Sequence, residues 1–121
     1  MATTPVNTSH AITNLLADLP ITKAATTSRV VVNNDVLRHV VFAFDTGQLL
    51  TEHTSPRAVI VSILTGRMDF TVKGETTTLD AGDVLYLAPG DPHALVALEP
   101  CHMALTMVDV NETAHAVNKS S

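Results

Sequence analysis

The chain has 121 residues, enough for one hydrophobic core and too few for two comfortable domains. It carries seven Lys and Arg against twelve Asp and Glu, a formal charge of −5, and the cations are scattered, which argues against a nucleic-acid phosphate backbone as partner. A single cysteine, Cys101, excludes an internal disulfide and a cysteine-built zinc knuckle, and no apolar run approaches the length of a membrane span.

The first ten residues are polar and carry Pro5, with neither a basic segment nor an apolar run, so they do not read as a signal peptide. A reducing, cytoplasmic setting follows as the default, and the Asn-x-Ser/Thr triplets at Asn7, Asn111 and Asn118 carry little weight there. Residues 1–28 read as an N-terminal arm. Within it Ile12, Leu15, Leu16 and Leu19 follow helical spacing, with Thr8 or Ser9 as a cap and Pro20 as a stop. A short helix and an extended arm lying across the rest of the domain fit these residues equally well.

From Arg29 onward the signals are those of strands. Val30–Val32 is β-branched and ends in Asn33-Asn34-Asp35, Val36–Phe44 follows and closes at Asp45-Thr46-Gly47, and Val59–Leu64 is the strongest strand signal. Gly66, Gly74, Gly82 and Gly90 then recur at a constant step of eight, each in a turn-like context, with short apolar runs between them. Short strands with regularly spaced turn glycines indicate an antiparallel sandwich or barrel. The chain is all-β, with a body over residues 29–110 and a polar tail over 111–121.

Several strands are apolar on both faces: in Val59–Leu64 one alternate set is Val59, Val61 and Ile63, the other Ile60 and Leu64 with Ser62. A sheet wetted on one side should alternate apolar with polar. The second face is therefore covered, by the arm or by a second subunit. With a mean hydropathy of +0.24, a homodimer is the expectation, somewhat ahead of the arm alone.

Two stretches carry a family resemblance. The first runs from Gly47 through His53 and Ser55 to Val59 and, six residues on, Gly66; the second runs from Gly82 through Pro89 and Gly90 to His93. Their glycines and histidines fall in the register of the two cupin motifs, although the proline stands at position 89 rather than one place earlier. The chain thus resembles a small single-domain cupin, a double-stranded β-helix or jelly-roll barrel. In metal-binding cupins the ligands are two motif-one histidines, a motif-one glutamate and the motif-two histidine. Here Ser55 stands in place of the second His and Val59 in place of the Glu.

The resemblance implies that His53 and His93 project into the barrel. Imidazole suits zinc, nickel, iron, copper or manganese, but two ligands rarely hold a metal firmly. His102 on the last strand is the candidate third ligand; His39 lies on a strand whose facing the pattern leaves open. Ser55, Arg57, Val59 and Tyr86 are the candidate pocket residues, with Arg57 more simply a rim cation and Tyr86 more simply core filling. Cys101 and His102 are adjacent on a strand and point oppositely, which excludes a nucleophile–base pair. Glu112-x-x-His115 has helical metal spacing but lies in the polar tail.

Two functional readings remain open. One is a divalent-metal cupin with a position free for a small oxygen-bearing molecule, as the resemblance to dioxygenases, isomerases and lyases of this fold implies. The other is a metal-free barrel that binds a small molecule without catalysis, which Ser55 and Val59 favour.

Overall fold

The computed structural model describes residues 4–110. Nine strands appear among them: β1 (Thr26–Asn33), β2 (Leu37–Phe44), β3 (Leu49–His53), β4 (Ala58–Thr65), β5 (Arg67–Val72), β6 (Glu75–Asp80), β7 (Val84–Leu87), β8 (His93–Ala97) and β9 (Cys101–Val108). They form two antiparallel sheets, ordered β1-β2-β9-β4-β7 and β3-β8-β5-β6. Of the evenly spaced glycines, Gly66, Gly82 and Gly90 lie at connections where the chain passes from one sheet to the other, and Gly74 lies in the β5–β6 hairpin within one sheet.

The core lies between the inner faces. From β4 it takes Val59, Val61 and Ile63; from β9, Cys101 and Met103; from β5, Met68 and Phe70; and from β2, Phe44, all buried. Strand alternation explains the selection, since each set is every second residue of its strand. Gly66, between β4 and β5, packs most tightly. It has φ +80°, and a Cβ there would lie 2.2 Å from the Pro100 carbonyl oxygen and 2.5 Å from Cys101 Cβ. Only glycine fits this corner.

The outer face of the five-stranded sheet is covered over part of its width. Leu19, Val41, Ala43 and Ala104 form a second buried cluster, with Leu15, Leu16, Ile21 and Val31 packed against it. The arm therefore roofs β1, β2 and β9. It does so without a helix: residues 14–19 make one isolated turn, closed by an Asp18 N–H to Asn14 C=O bond of 3.0 Å and a Leu19 N–H to Leu16 C=O bond of 3.2 Å. The helical spacing of its leucines serves a single turn because Asn14 is left-handed (φ 58°) and Pro20 ends the run. Farther along, the Ala24 N–H donates to Asp45 Oδ2 at 2.6 Å, pinning the end of the arm to the β2–β3 turn. That bond and one from the Thr46 N–H hold the Asp45 carboxyl below its ordinary pKa.

Roofing stops at β4 and β7. There Ile60, Leu64, Val84 and Tyr86 stand exposed on the outer face. No helix among the described residues is long and apolar enough to cross a membrane. The tail signals at Asn111, Glu112, His115 and Asn118 lie outside the described residues.

Candidate functional site

His53 is the last residue of β3, and its direction depends on an irregularity. In the β3–β8 pairing Leu50 stands opposite Leu95 and His53 opposite His93, so three steps on β3 match two on β8. This β-bulge shifts the alternation by one residue. Leu50 and His53 consequently both line the barrel interior, which regular alternation forbids for positions three apart. Glu52, inside the bulge, is exposed.

The two imidazoles meet at the barrel mouth, with ring centroids 4.3 Å apart and an interplanar angle of 60°. Each is oriented in the same way. His53 Nδ1 lies 2.8 Å from the Thr51 carbonyl oxygen, and His93 Nδ1 lies 2.9 Å from that of Asp91. A carbonyl only accepts, so both Nδ1 atoms carry the proton and both Nε2 atoms keep a lone pair. Phe70 backs the His93 ring in a near-parallel stack at 6.1 Å. His93 is 8 % exposed, whereas His53 is open to solvent.

Behind the pair lies a cavity of about 80 Å³, room for an ion with a few waters or a small organic group. Its lining is largely aliphatic. Among its lining residues, His53, His93, Ser55, Met103 and Met107 carry nitrogen, oxygen or sulfur in their side chains, although the surface turned to the cavity is almost wholly apolar. Ser55 also fastens the site: its Oγ accepts from the Arg57 N–H at 3.2 Å, and its carbonyl accepts from the Gly90 N–H at 2.8 Å. That last bond joins the two motif segments directly.

Of the expected pocket residues, Ser55 and Val59 line the cavity, while Arg57 and Tyr86 do not. Arg57 lies in the loop before β4, and its Nε–H donates to Asp109 at 2.8 Å. Tyr86 pairs with Ile60 in the β4–β7 ladder, on the outward set, and is 62 % exposed.

His102 is a correction. It does not join His53 and His93, because β9 turns Cys101 and Met103 inward and His102 outward. There its Nε2–H donates to the Leu19 carbonyl at 2.7 Å, and its Nδ1 accepts from the Thr65 hydroxyl at 2.8 Å. The His102 N–H donates in turn to Thr65 Oγ1 at 3.0 Å. Both ring nitrogens are engaged: Nε2 fastens the arm, and Nδ1 is held by β4 of the same sheet. His39 also faces outward, opposite Thr106, whose hydroxyl lies 2.9 Å from its Nδ1; burial lowers its pKa.

The usual cupin set of three imidazoles and a carboxylate does not fit these residues. No group of three or more His, Cys, Asp or Glu among the described residues is placed to hold a metal ion, and the cavity lining includes no carboxylate. The inward thioethers escaped the sequence reading because methionine on an apolar strand looks like ordinary core filling. Only the strand pairings, which set Met107 beside Val59 and Met103 beside Ile63, show that they share the cavity.

Two interlocking sheets with imidazoles at the mouth define a double-stranded β-helix barrel. The chain belongs to the cupin family: the cupin-domain model matches residues 40–110. A conserved protein of unknown function from Streptococcus pyogenes is similar at 32 % identity, over 90 % of this chain and 96 % of that one, with a TM-score of 0.79. KdgF from Halomonas sp. is similar at 22 % identity over 88 % of this chain and 99 % of that one (TM-score 0.72). A variant of salicylate 1,2-dioxygenase from Pseudoaminobacter salicylatoxidans is similar at 20 % identity, over 76 % of this chain and 29 % of that one (TM-score 0.66). At those identities the last two share the fold. No curated protein matches the chain.

Proposed function

We propose that this cupin binds one late transition-metal ion at the barrel mouth through His53 and His93, leaving coordination positions open to a small molecule. The observation that carries the reading is the matched pair of free Nε2 atoms, each on a ring whose Nδ1–H is anchored by a backbone carbonyl. Such anchoring fixes the tautomer and ring direction of metal-ligating histidines. Among the described residues the lining has no carboxylate, which argues against magnesium-like ions and against the two-histidine, one-carboxylate iron chemistry. An ion held here would supply Lewis acidity toward a small oxygen-bearing molecule; the aliphatic lining would select for an apolar remainder. The single, buried cysteine is compatible with the reducing, cytoplasmic setting this reading takes. Elemental analysis of the tag-free protein should find close to one metal per subunit, and His53→Ala and His93→Ala should each remove it with the fold retained. Full metal content in both variants would defeat the assignment.

A second reading, a metal-free binding cupin, is favoured by the aliphatic cavity. It predicts no metal after reconstitution and a melting temperature raised by a pocket ligand through mass action.

The homodimer is also a proposal. Ile60, Leu64, Val84 and Tyr86 lie together where the arm does not reach, and β7 is the edge of its sheet. A second copy placed two-fold against that edge would cover both. Light scattering should give twice the chain mass, and Tyr86→Lys should return it to one.

A further inference from the structure

We infer that the small molecule this barrel takes is a short-chain aliphatic carboxylate, its chain in the cavity and its carboxylate on the Arg38 guanidinium at the mouth. The inference rests on the reading that the cavity receives a small molecule, with or without an ion, and names the chemistry of that molecule.

Arg38 is the anomaly that leads to it. The chain has four arginines, Arg29, Arg38, Arg57 and Arg67. Three of them face an aspartate: Arg29 reaches Asp18 at 3.6 Å, Arg57 reaches Asp109 at 2.8 Å and Arg67 reaches Asp80 at 2.7 Å. Arg38 has no acidic partner among the described residues, and its Nε is buried there without a hydrogen bond. A cationic nitrogen left unpaired away from water is a cost to the fold, and such costs concentrate where a site uses them.

The place of Arg38 in the fold says which anion it suits. β2 turns Val41 and Ala43 outward under the arm and Phe42 and Phe44 into the core. Arg38 has the parity of Phe42 and Phe44, so it takes the inner face. It stands opposite Met107 in the β2–β9 ladder, and Val40, next on that face, stands opposite Leu105. Met107 and Leu105 both line the cavity. Side chains directly across a ladder lie about 5 Å apart at Cβ, so the guanidinium borders the cavity wall at the end of the barrel that carries His53 and His93.

The cavity supplies the rest of the description. Its surface is almost wholly apolar, built by Leu50, Val59, Leu87, Leu95 and Leu105 among others, and its lining holds no carboxylate to compete for the guanidinium. An apolar cavity of about 150 Å³ takes benzene. About 80 Å³ therefore suits a short chain, straight or once branched, rather than a ring. The Arg38 charge opposes a cationic head, and a neutral head leaves it unpaired. A carboxylate matches the guanidinium fork with two parallel N–H···O bonds. A phosphate dianion calls for more than one uncommitted guanidinium. In the ion-free barrel the Nε2 lone pairs of His53 and His93 only accept, so they offer a carboxylate no hydrogen bond and leave Arg38 as its seat.

The experiment is calorimetric titration of the full chain, stripped of metal with a chelator and held at low chloride. The probes are straight and once-branched monocarboxylates from acetate to hexanoate, each beside its primary amide. Wild type should prefer each longer acid over its amide by more than about 10-fold, the worth of a charge-assisted hydrogen bond. Acetate should bind weakest, and each added methylene should tighten binding by about fourfold until the cavity is full. Arg38→Met should bring the acids down to the level of the amides and raise the melting temperature of the free protein, because it removes an unpaired buried cationic nitrogen. Arg38→Lys, which keeps the charge without the fork, should fall between. Acids and amides bound alike would overturn the carboxylate assignment and leave the small-molecule reading in place. Acids bound without regard to chain length, or with full strength by Arg38→Met, would overturn the inference as well. Binding of neither series would overturn it together with the metal-free reading, while the metal content decides the ion reading separately.

Discussion

The two ends of this barrel use the same residue type for opposite purposes. At the packed end, His102 has both ring nitrogens engaged, by the Leu19 carbonyl and the Thr65 hydroxyl, beside a glycine corner with no room for a methyl group. At the mouth, His53 and His93 each engage one nitrogen and present the other. The two ends differ in the second nitrogen: in His102 it is spoken for and the residue is a fastener, whereas in His53 and His93 it is unclaimed and is what the proposed function uses. Burial alone does not separate the two, because His93 and His102 are equally buried.

That contrast can be broken by substitution. Gly66→Ala should have the largest effect, a loss of more than about 4 kcal/mol or failure to fold, because backbone and Cβ atoms both block the new methyl; urea unfolding measures it. His102→Leu should cost about 2–4 kcal/mol by leaving the Leu19 carbonyl without its donor and the Thr65 O–H without its acceptor. It should also speed proteolytic cleavage ahead of β1, whereas an unchanged cleavage rate would mean that apolar packing alone holds the arm. Alkaline pH probes the same end. The Cys101 thiol is raised in the folded state to about 11, so its contribution is complete below the unfolded thiol's pKa and fades as pH rises through the folded value. Stability should therefore fall by about 1–2 kcal/mol between roughly pH 9 and 11, and Cys101→Ala should flatten that slope. At the mouth, His53→Ala should shift stability by less than about 0.5 kcal/mol, and under the proposed function it should also abolish metal binding. Smallest of all, Arg57→Ala breaks a rim ion pair whose side chains are 34 % and 54 % exposed, and should cost less than about 0.5 kcal/mol.

Much of the fold was legible because β-branched runs and the eight-residue glycine step report directly on strands and turns. His53 and His93 were legible as a pair through motif spacing. What escaped depended on which face a strand residue takes. The run from Val84 to Leu87 is apolar on both alternations, as is most of β9, so hydrophobicity carries no parity there. Tyr86 and His102 were therefore assigned inward on patterns that could not decide it, and Met107 was passed over. The arm was legible as an arm but not as a single turn, since leucines spaced for a helix are also spaced for one turn laid on a sheet. The double-faced apolar pattern of β4 raises the expectation of cover, yet the arm lies over β1, β2 and β9 and leaves Ile60 and Leu64 of β4 exposed.

The bulge in β3 has a consequence for how such a site can be gained or lost. Because His53 stands three residues from Leu50, its inward aim depends on the bulge between them, and the site is written partly in the register of the β3–β8 ladder. Pairing the same residues without the bulge would put Leu50 and the imidazole on opposite faces, whereas deleting Thr51 or Glu52 would leave them two apart, on one face of a regular strand. Chains that differ by one residue at this point can therefore keep the same histidine pair, one through a bulge and one without it.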